Sequence, residues 1–170
     1  MKWKIKLALI LLISSILFFL SYKISNKINY KKQIVENTKT IPTFTFENMV
    51  GDNYTDKDLL LKPVVFVYFN SDCDYCHSEA TKIKERLNEF KNCQLIFISI
   101  EAKEKIKLFE DKYGFNVYKN IVFLEDRKGE FSKLFDVHSI PYIVVYDKNH
   151  KLLKKFKGIT RIDDILKYLE

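Results

Sequence analysis

Glycine, proline and cysteine are all scarce, with 4, 3 and 3 among 170 residues. So little glycine and proline excludes a collagen-like or low-complexity polymer, and three cysteines are too few for a disulfide-stapled scaffold. With 47% apolar and 15% aromatic residues, one globular domain can build its core without such staples. Acidic residues are absent from the first 35 positions, which carry seven lysines (Lys2, Lys4, Lys6, Lys23, Lys27, Lys31 and Lys32). The rest of the chain holds 22 basic and 22 acidic residues, so the net charge of +7 belongs entirely to the N-terminal segment. A neutral domain has no long-range pull on phosphate, and nucleic acid is not an expected partner.

What the N-terminal segment has is an apolar run. Residues 7–22, LALILLISSILFFLSY, carry no charge. As a helix this run is ~24 Å long, against ~30 Å of bilayer hydrocarbon. Flanking lysines can snorkel, and Trp3 and Tyr22 suit the interface. The run is apolar on all faces, unlike the amphipathic helix of a soluble domain. A cleaved signal peptide is the competing reading, but no small-residue cleavage pattern follows in FFLSYKISNK. We therefore read 1–24 as a signal-anchor in membrane lipid, 25–40 as a polar juxtamembrane tether and 41–170 as the folded domain. Three lysines and the amino terminus precede the run and four lysines follow it, which nearly balances the positive-inside rule. A short basic leader before an apolar stretch still resembles a secretory signal. It favours a domain on the extracytoplasmic, periplasmic side of a bacterial inner membrane.

Beyond residue 41, strand and helix patterns alternate, which indicates an α/β domain. Residues 43–46 alternate Thr and Phe as a short strand, and 51–53 (GDN) read as a turn. Thr55 is placed to cap a short helix, TDKDLLL, that Pro63 stops. Residues 63–70, PVVFVYFN, are apolar on both parities, as in a central strand buried on both faces. A helix is predicted from about 74 to 90, with Ile83, Leu87 and Phe90 on one face. Strands follow at 94–100, 121–124, 142–147 and 152–157, the last two as a hairpin. Helices are expected at 101–113, ended by Gly114, at 130–135 and at 162–169, the last capped by Thr160. The unit 63–100 is strand–helix–strand, and its crossover should be right-handed.

The stretch 70–80, NSDCDYCHSEA, carries the chemistry. Cys73 and Cys76 stand where a central strand ends and a helix begins. Free amides there carry positive partial charge and stabilise a thiolate. The i, i+3 spacing puts both sulfurs on one turn, close enough to join as a redox-active disulfide bond. Cys73, nearer the loop, is the expected nucleophile, and Cys76 the expected resolving thiol. Polar neighbours (Ser71, Asp72, Asp74, Tyr75, His77) argue against two buried structural cysteines. The same letters, CDYCH, match a c-type haem attachment site. Their setting in one compact sheet leaves His77 on a helix turn with no room for a porphyrin. Zinc would need two more ligands, and Cys93, His138 and His150 show no paired spacing. No metal or cofactor is therefore expected. Cys93 reads as a small buried or edge residue, and His138 and His150 as surface or loop residues. A second feature is Ile140-Pro141 at the start of a strand. A cis bond there would expose the Ile140 backbone as an edge for a substrate's extended chain.

Strand, Cys-x-x-Cys at a helix start, a later Ile-Pro before a hairpin, and a terminal helix together resemble the thioredoxin fold. The resemblance covers 41–170 and implies a central mixed sheet flanked by helices. The spacing from Cys76 to Pro141 leaves room for an αβ insert, supplied by 101–124. With the N-terminal apolar helix, the β extension at TFTFEN and the Cys73, Cys76, Glu79 pattern, the chain resembles membrane-tethered TlpA/ResA-type thiol–disulfide oxidoreductases, of the redoxin family. That resemblance implies that Glu79 lies near the thiols and tunes their proton affinity. It implies a cis Pro141, with Ile140 and Pro141 binding substrate. It also implies a disulfide-containing protein substrate, a membrane thiol or electron donor, and a role in cell redox homeostasis. The sequence departs from that pattern in having Asp72 where Trp is usual and Asp74-Tyr75 without proline. The two acids beside Cys73 oppose the helix dipole, which suggests a reductant of protein disulfides rather than a strong oxidant. Asn70 stands where peroxidase relatives carry Thr, so a peroxidase is a lesser alternative. A non-catalytic thioredoxin-like binding module is the main alternative to an enzyme, with a haem carrier behind it.

Overall fold

The computed structural model describes residues 2–169. Met1 and Glu170, at the outer limits of the anchor and domain proposed above, lie outside the described residues, as do the side chains of Lys2 and Lys4. Two compact units divide near residue 37. The first is one continuous helix, α1 (Lys2–Asn37). Its stretch Leu11–Asn37 is long and apolar enough to cross a membrane by length and composition, with an 18-residue window of mean hydropathy 1.3. The polar segment from residue 25 continues this helix as far as Asn37.

The second unit is built on a seven-stranded mixed sheet in the order β2-β1-β5-β4-β3-β6-β7. The strands are β1 (Thr45–Asn48), β2 (Asn53–Thr55), β3 (Val64–Tyr68), β4 (Gln94–Ser99), β5 (Ile121–Glu125), β6 (Tyr142–Tyr146) and β7 (Leu152–Lys157). Strands β3, β4 and β5 run parallel, and β6 returns antiparallel beside β3. The helices are α2 (Asp74–Glu85), α3 (Lys103–Tyr113), α4 (Glu130–Phe135) and α5 (Ile162–Leu166).

Strand parity divides the core into two layers. Val65, Val67, Phe97 and Phe123 pack with Ala80 and Ile83 of α2, Ile106 and Phe109 of α3 and Ile165 of α5. Val64, Phe66, Tyr68, Ile96 and Ile98 pack on the other face with Phe44, Phe46 and, from α4, Phe131 and Phe135. Both parities are apolar because both faces are covered. The β3 strand is buried at every residue, so its C-terminal end is a fixed platform for the turn that carries Cys73.

Several local expectations change. The GDN turn is tighter than expected, and Asn53 already belongs to β2. The Asn48 side-chain oxygen accepts from the N–H groups of Val50, Gly51 and Asp52 at 3.0, 3.0 and 2.9 Å, which closes the hairpin. Thr55 does cap, but only a 3-10 turn at Asp56–Asp58. The helix expected to reach residue 90 ends at Glu85, and a 3-10 turn takes over at Leu87–Phe90. In a 3-10 turn residues i and i+3 eclipse, which buries both Leu87 and Phe90. Thr160 does not cap α5. Arg161 holds that position without a side-chain bond.

The chain enters the domain at one end of the sheet, and the cysteines stand at the other. Thr40 bridges to Lys151, and the Leu152 N–H donates to the Lys39 carbonyl at 2.8 Å. That edge adjoins Tyr146, which pairs with Val64 at the start of β3. Cys73 follows the far end of β3, about 13 Å along the strand. The Tyr146 hydroxyl, buried, donates to the buried Thr38 carbonyl at 3.1 Å and fastens the entry point. Tyr146→Phe removes that bond from the carbonyl. It should cost about 1–2 kcal/mol in urea unfolding, with disulfide chemistry at the far end unchanged.

Candidate active site

After β3 the chain turns through Ser71 and Asp72 and starts α2 at Cys73. Cys73 is the N-cap residue, with φ −96° and ψ 113°. Its sulfur accepts from the Cys76 N–H at 3.3 Å, which takes up one of the free amides of the first turn. The Cys73 N–H donates to the Asn70 carbonyl at 3.2 Å, closing the turn before the helix. Cys73 is half-buried and Cys76 is 2% exposed, so Cys73 is the more accessible thiol of the two. Burial pushes the Cys76 thiol far above its ordinary range. The neighbouring Cys73 sulfur adds to this, and the Asn70 backbone acts against it. Tyr75, between the cysteines, is exposed. Asp72 pairs with Lys105 at 2.6 Å on the surface.

The helix phase places Cys76, Glu79, Ala80 and Ile83 on one buried stripe. Glu79 is 1% exposed. One of its oxygens, Oε2, accepts from the Thr160 N–H at 2.9 Å, and the other, Oε1, has no partner among the described residues. Burial raises the Glu79 carboxyl above its ordinary value, and the Thr160 bond and the Lys82 charge offset only part of this. Thr160, expected as a helix cap, thus spends its amide on Glu79. Its importance to the site is not readable from sequence, because 81 residues separate the pair.

Ile140 and Pro141 precede β6, which lies beside β3. Their peptide bond is cis. Ile140 and Cys73 pack at the margin of the same core layer. Among the described residues, the Ile140 N–H and C=O make no backbone hydrogen bond.

The remaining titratable groups lie elsewhere or are engaged. His77 uses both ring nitrogens within the domain, on Tyr113 at 2.7 Å and Ser71 at 2.9 Å. A ring held in this way has no free nitrogen for a haem iron. Cys93 is 2% exposed, its sulfur donates to the Phe90 carbonyl at 3.2 Å, and burial pushes its thiol up to about 12. It packs as a small core residue. His138 sits against Asp136 and His150 against the Leu60 carbonyl, both in loops. A surface concavity of about 680 Å³ lies between the β1–β2 hairpin and the end of β5 and is lined by none of the cysteines.

Comparison with known proteins agrees with this geometry and is decisive at the level of family. A model described as the AhpC/TSA family matches residues 38–157. The chain belongs to the AhpC/TSA family. Among curated relatives of this AhpC/TSA chain is the thiol-disulfide oxidoreductase ResA of Bacillus thuringiensis. It is 24% identical over 143 residues, which cover 82% of this chain and 80% of the relative. Among solved structures, a secreted Mycobacterium tuberculosis disulfide oxidoreductase superposes with a TM-score of 0.63 at 19% identity, covering 74% of this chain and 93% of that one. StoA of Bacillus subtilis superposes at 0.57 and 15% identity, covering 78% and 99%. The fold of this AhpC/TSA chain is thioredoxin-like, with the β1–β2 hairpin as its N-terminal extension and α3–β5 as the insert. The expected likeness to ResA is borne out.

Glu79 supplies a pH test. The folded protein holds the Glu79 proton more tightly than the unfolded chain does. Stability is therefore lost as pH rises from the ordinary value of 4.5 through the raised folded value. Glu79→Gln cannot ionise. It should match the parent in urea unfolding at about pH 4 and exceed it at about pH 8. An equal difference at both values would contradict this reading of the carboxyl.

Proposed function

We propose that the chain is a thiol–disulfide oxidoreductase that reduces disulfides in protein substrates through Cys73 and Cys76. The observation that carries the proposal is the half-exposed Cys73 sulfur at the N-cap of α2, with the Cys76 amide aimed at it. A nucleophilic thiol requires such access and such a donor. The relatives' description as thiol-disulfide oxidoreductases supports the same activity.

In the first step the Cys73 thiolate attacks one sulfur of the substrate disulfide. A Cys73–substrate disulfide forms, and the departing substrate sulfur takes up a proton. Cys76 then attacks the Cys73 sulfur, which forms the Cys73–Cys76 disulfide and releases the second substrate thiol. Two electrons have passed to the substrate. Cys76 must lose its proton in this step, although burial holds it. We assign its removal to Glu79, one turn on along the same buried stripe. A carboxylate with raised proton affinity is a better base for a thiol than an ordinary one. Ile140 offers its unpaired backbone to an extended substrate segment beside Cys73, with Pro141 fixing the start of β6.

The reducing direction is part of the same proposal. Strong oxidants of this kind owe their potential to a stabilised reduced form. Burial gives the Cys76 thiolate no such stabilisation.

Residues 1–24 would anchor the protein in membrane lipid, 25–40 tether it, and 41–170 act on the extracytoplasmic side. The dithiol stands at the sheet end opposite the tether's entry, where a protein substrate can reach it. A membrane thiol donor would restore the dithiol, since an oxidising compartment offers no reducing glutathione pool.

Cys73→Ala should fall to the uncatalysed background in insulin disulfide reduction while keeping the parent's unfolding midpoint. Cys76→Ser should accumulate mixed disulfides on Cys73 in cells, seen as reductant-sensitive bands. Turnover by Cys73→Ala would refute the mechanism. So would binding of partners by the Cys73→Ser, Cys76→Ser double variant with no turnover by the parent, which would mark a binding module.

A further inference from the structure

His77 completes the string that reads as a haem site, and the dithiol chemistry gives it no task. Its ring nonetheless makes three specific contacts. Nε2 lies 2.9 Å from the Ser71 carbonyl oxygen, Nδ1 lies 2.7 Å from the Tyr113 hydroxyl, and the ring stacks on Phe109 at 5.1 Å. A carbonyl can only accept, so Nε2 carries a hydrogen. The Tyr113 hydroxyl meets Nδ1 and also donates to the His77 carbonyl at 3.2 Å. The Lys112 ammonium lies 3.4 Å from Nδ1.

Ser71 is held from the opposite side by Glu101, in the loop after β4. Its N–H donates to Glu101 Oε2 at 2.6 Å and its hydroxyl to Oε1 at 2.7 Å. Glu101 also accepts from the Ser99 hydroxyl at 3.2 Å and faces Lys105 at 3.5 Å. Four donors fill the acceptor places of an ionised carboxylate. The Glu101 side chain is only 7% exposed. Every backbone and side-chain polar group of Ser71 is therefore engaged, two by Glu101 and one by His77. The His77 bond closes a seven-residue loop, 71–77, that contains both cysteines. Asp74-Tyr75 has no proline to stiffen that loop covalently.

We propose that His77 and Glu101 are positioning residues that clamp Ser71 between α2 and the β4 loop and so fix the Cys73 sulfur in its reactive place. The inference rests on Cys73 being the nucleophile. It assigns a role in that chemistry to two residues that touch neither sulfur nor substrate. Displacement of a reacting atom by about 1 Å can cost on the order of a hundredfold in rate.

His77→Phe keeps an aromatic ring against Phe109 and loses the donor. His77→Gln keeps a donor at similar reach. The rate constant of Cys73 with a small aromatic disulfide should fall at least about tenfold in His77→Phe and return to within about threefold of the parent in His77→Gln. Because both grips act through Ser71, His77→Phe combined with Glu101→Ala should be no slower than the worse single variant, within about threefold. A parent rate in His77→Phe would overturn the clamp. So would an equal loss in His77→Gln, or fully multiplicative losses in the double variant. A parent inert toward every disulfide would remove the oxidoreductase reading instead. The clamp keeps its own readout in that case, and in the event that His77→Phe fails to fold. Nitrogen NMR of the parent should show a hydrogen on His77 Nε2, and an Nε2 without one would overturn the clamp.

Discussion

The hydrogen bond from the Cys76 amide to the Cys73 sulfur is the contact on which the site depends. It exists because a strand buried at every residue delivers the chain, without slack, to the start of a helix. The strand end is immovable, since β3 is flanked by β4 and β6 and covered on both faces. The helix must begin somewhere, and its first amides need acceptors. A cysteine at the N-cap meets that need with sulfur, which puts the thiol in the positive field of the helix end. The cap and the proposed nucleophile are one residue here.

Burial then gives the cysteines different characters. Cys73, half-exposed at the loop, can meet a partner. Cys76, one turn in, is shielded and reluctant to ionise. Cys93, as buried as Cys76, packs in the core. Glu79 extends the gradient into the core, where one orphaned oxygen and one backbone donor leave a carboxyl that favours its proton. The proposed reductant must lose protons when it loses electrons, and Glu79 is the group proposed to take one.

Much of this is legible in the sequence because it is local. The apolar run at both parities of 63–70 marks the central strand, and the cysteine spacing marks the helix start. Gly114 marks the end of α3 and adopts the left-handed conformation there. What the sequence withholds is long-range or a matter of a few degrees of backbone. Thr160 looks like a helix cap until the fold brings its amide to Glu79. Glu101 looks like one more acid at a helix start, yet it holds Ser71 from 30 residues away. His77 stands out as a haem-type ligand, yet the fold sets its ring nitrogens on Tyr113 and Ser71. The break of α2 at Arg86 is hidden because Leu87 and Phe90 fit the apolar face of a continuing helix as well as that of a 3-10 turn.

The central claim is that Cys73 and Cys76 form one two-electron couple, separate from Cys93 and reducing in character. The direct measurement is equilibration of the purified protein in dithiothreitol buffers across a range of potentials, followed by acid quenching and mass mapping of the thiols. A single transition is expected, which joins Cys73 to Cys76, leaves Cys93 as a thiol throughout, and has its midpoint below about −200 mV. A pair that never closes, a bridge that includes Cys93, or a midpoint near the −120 mV or so of a strong oxidant would contradict it.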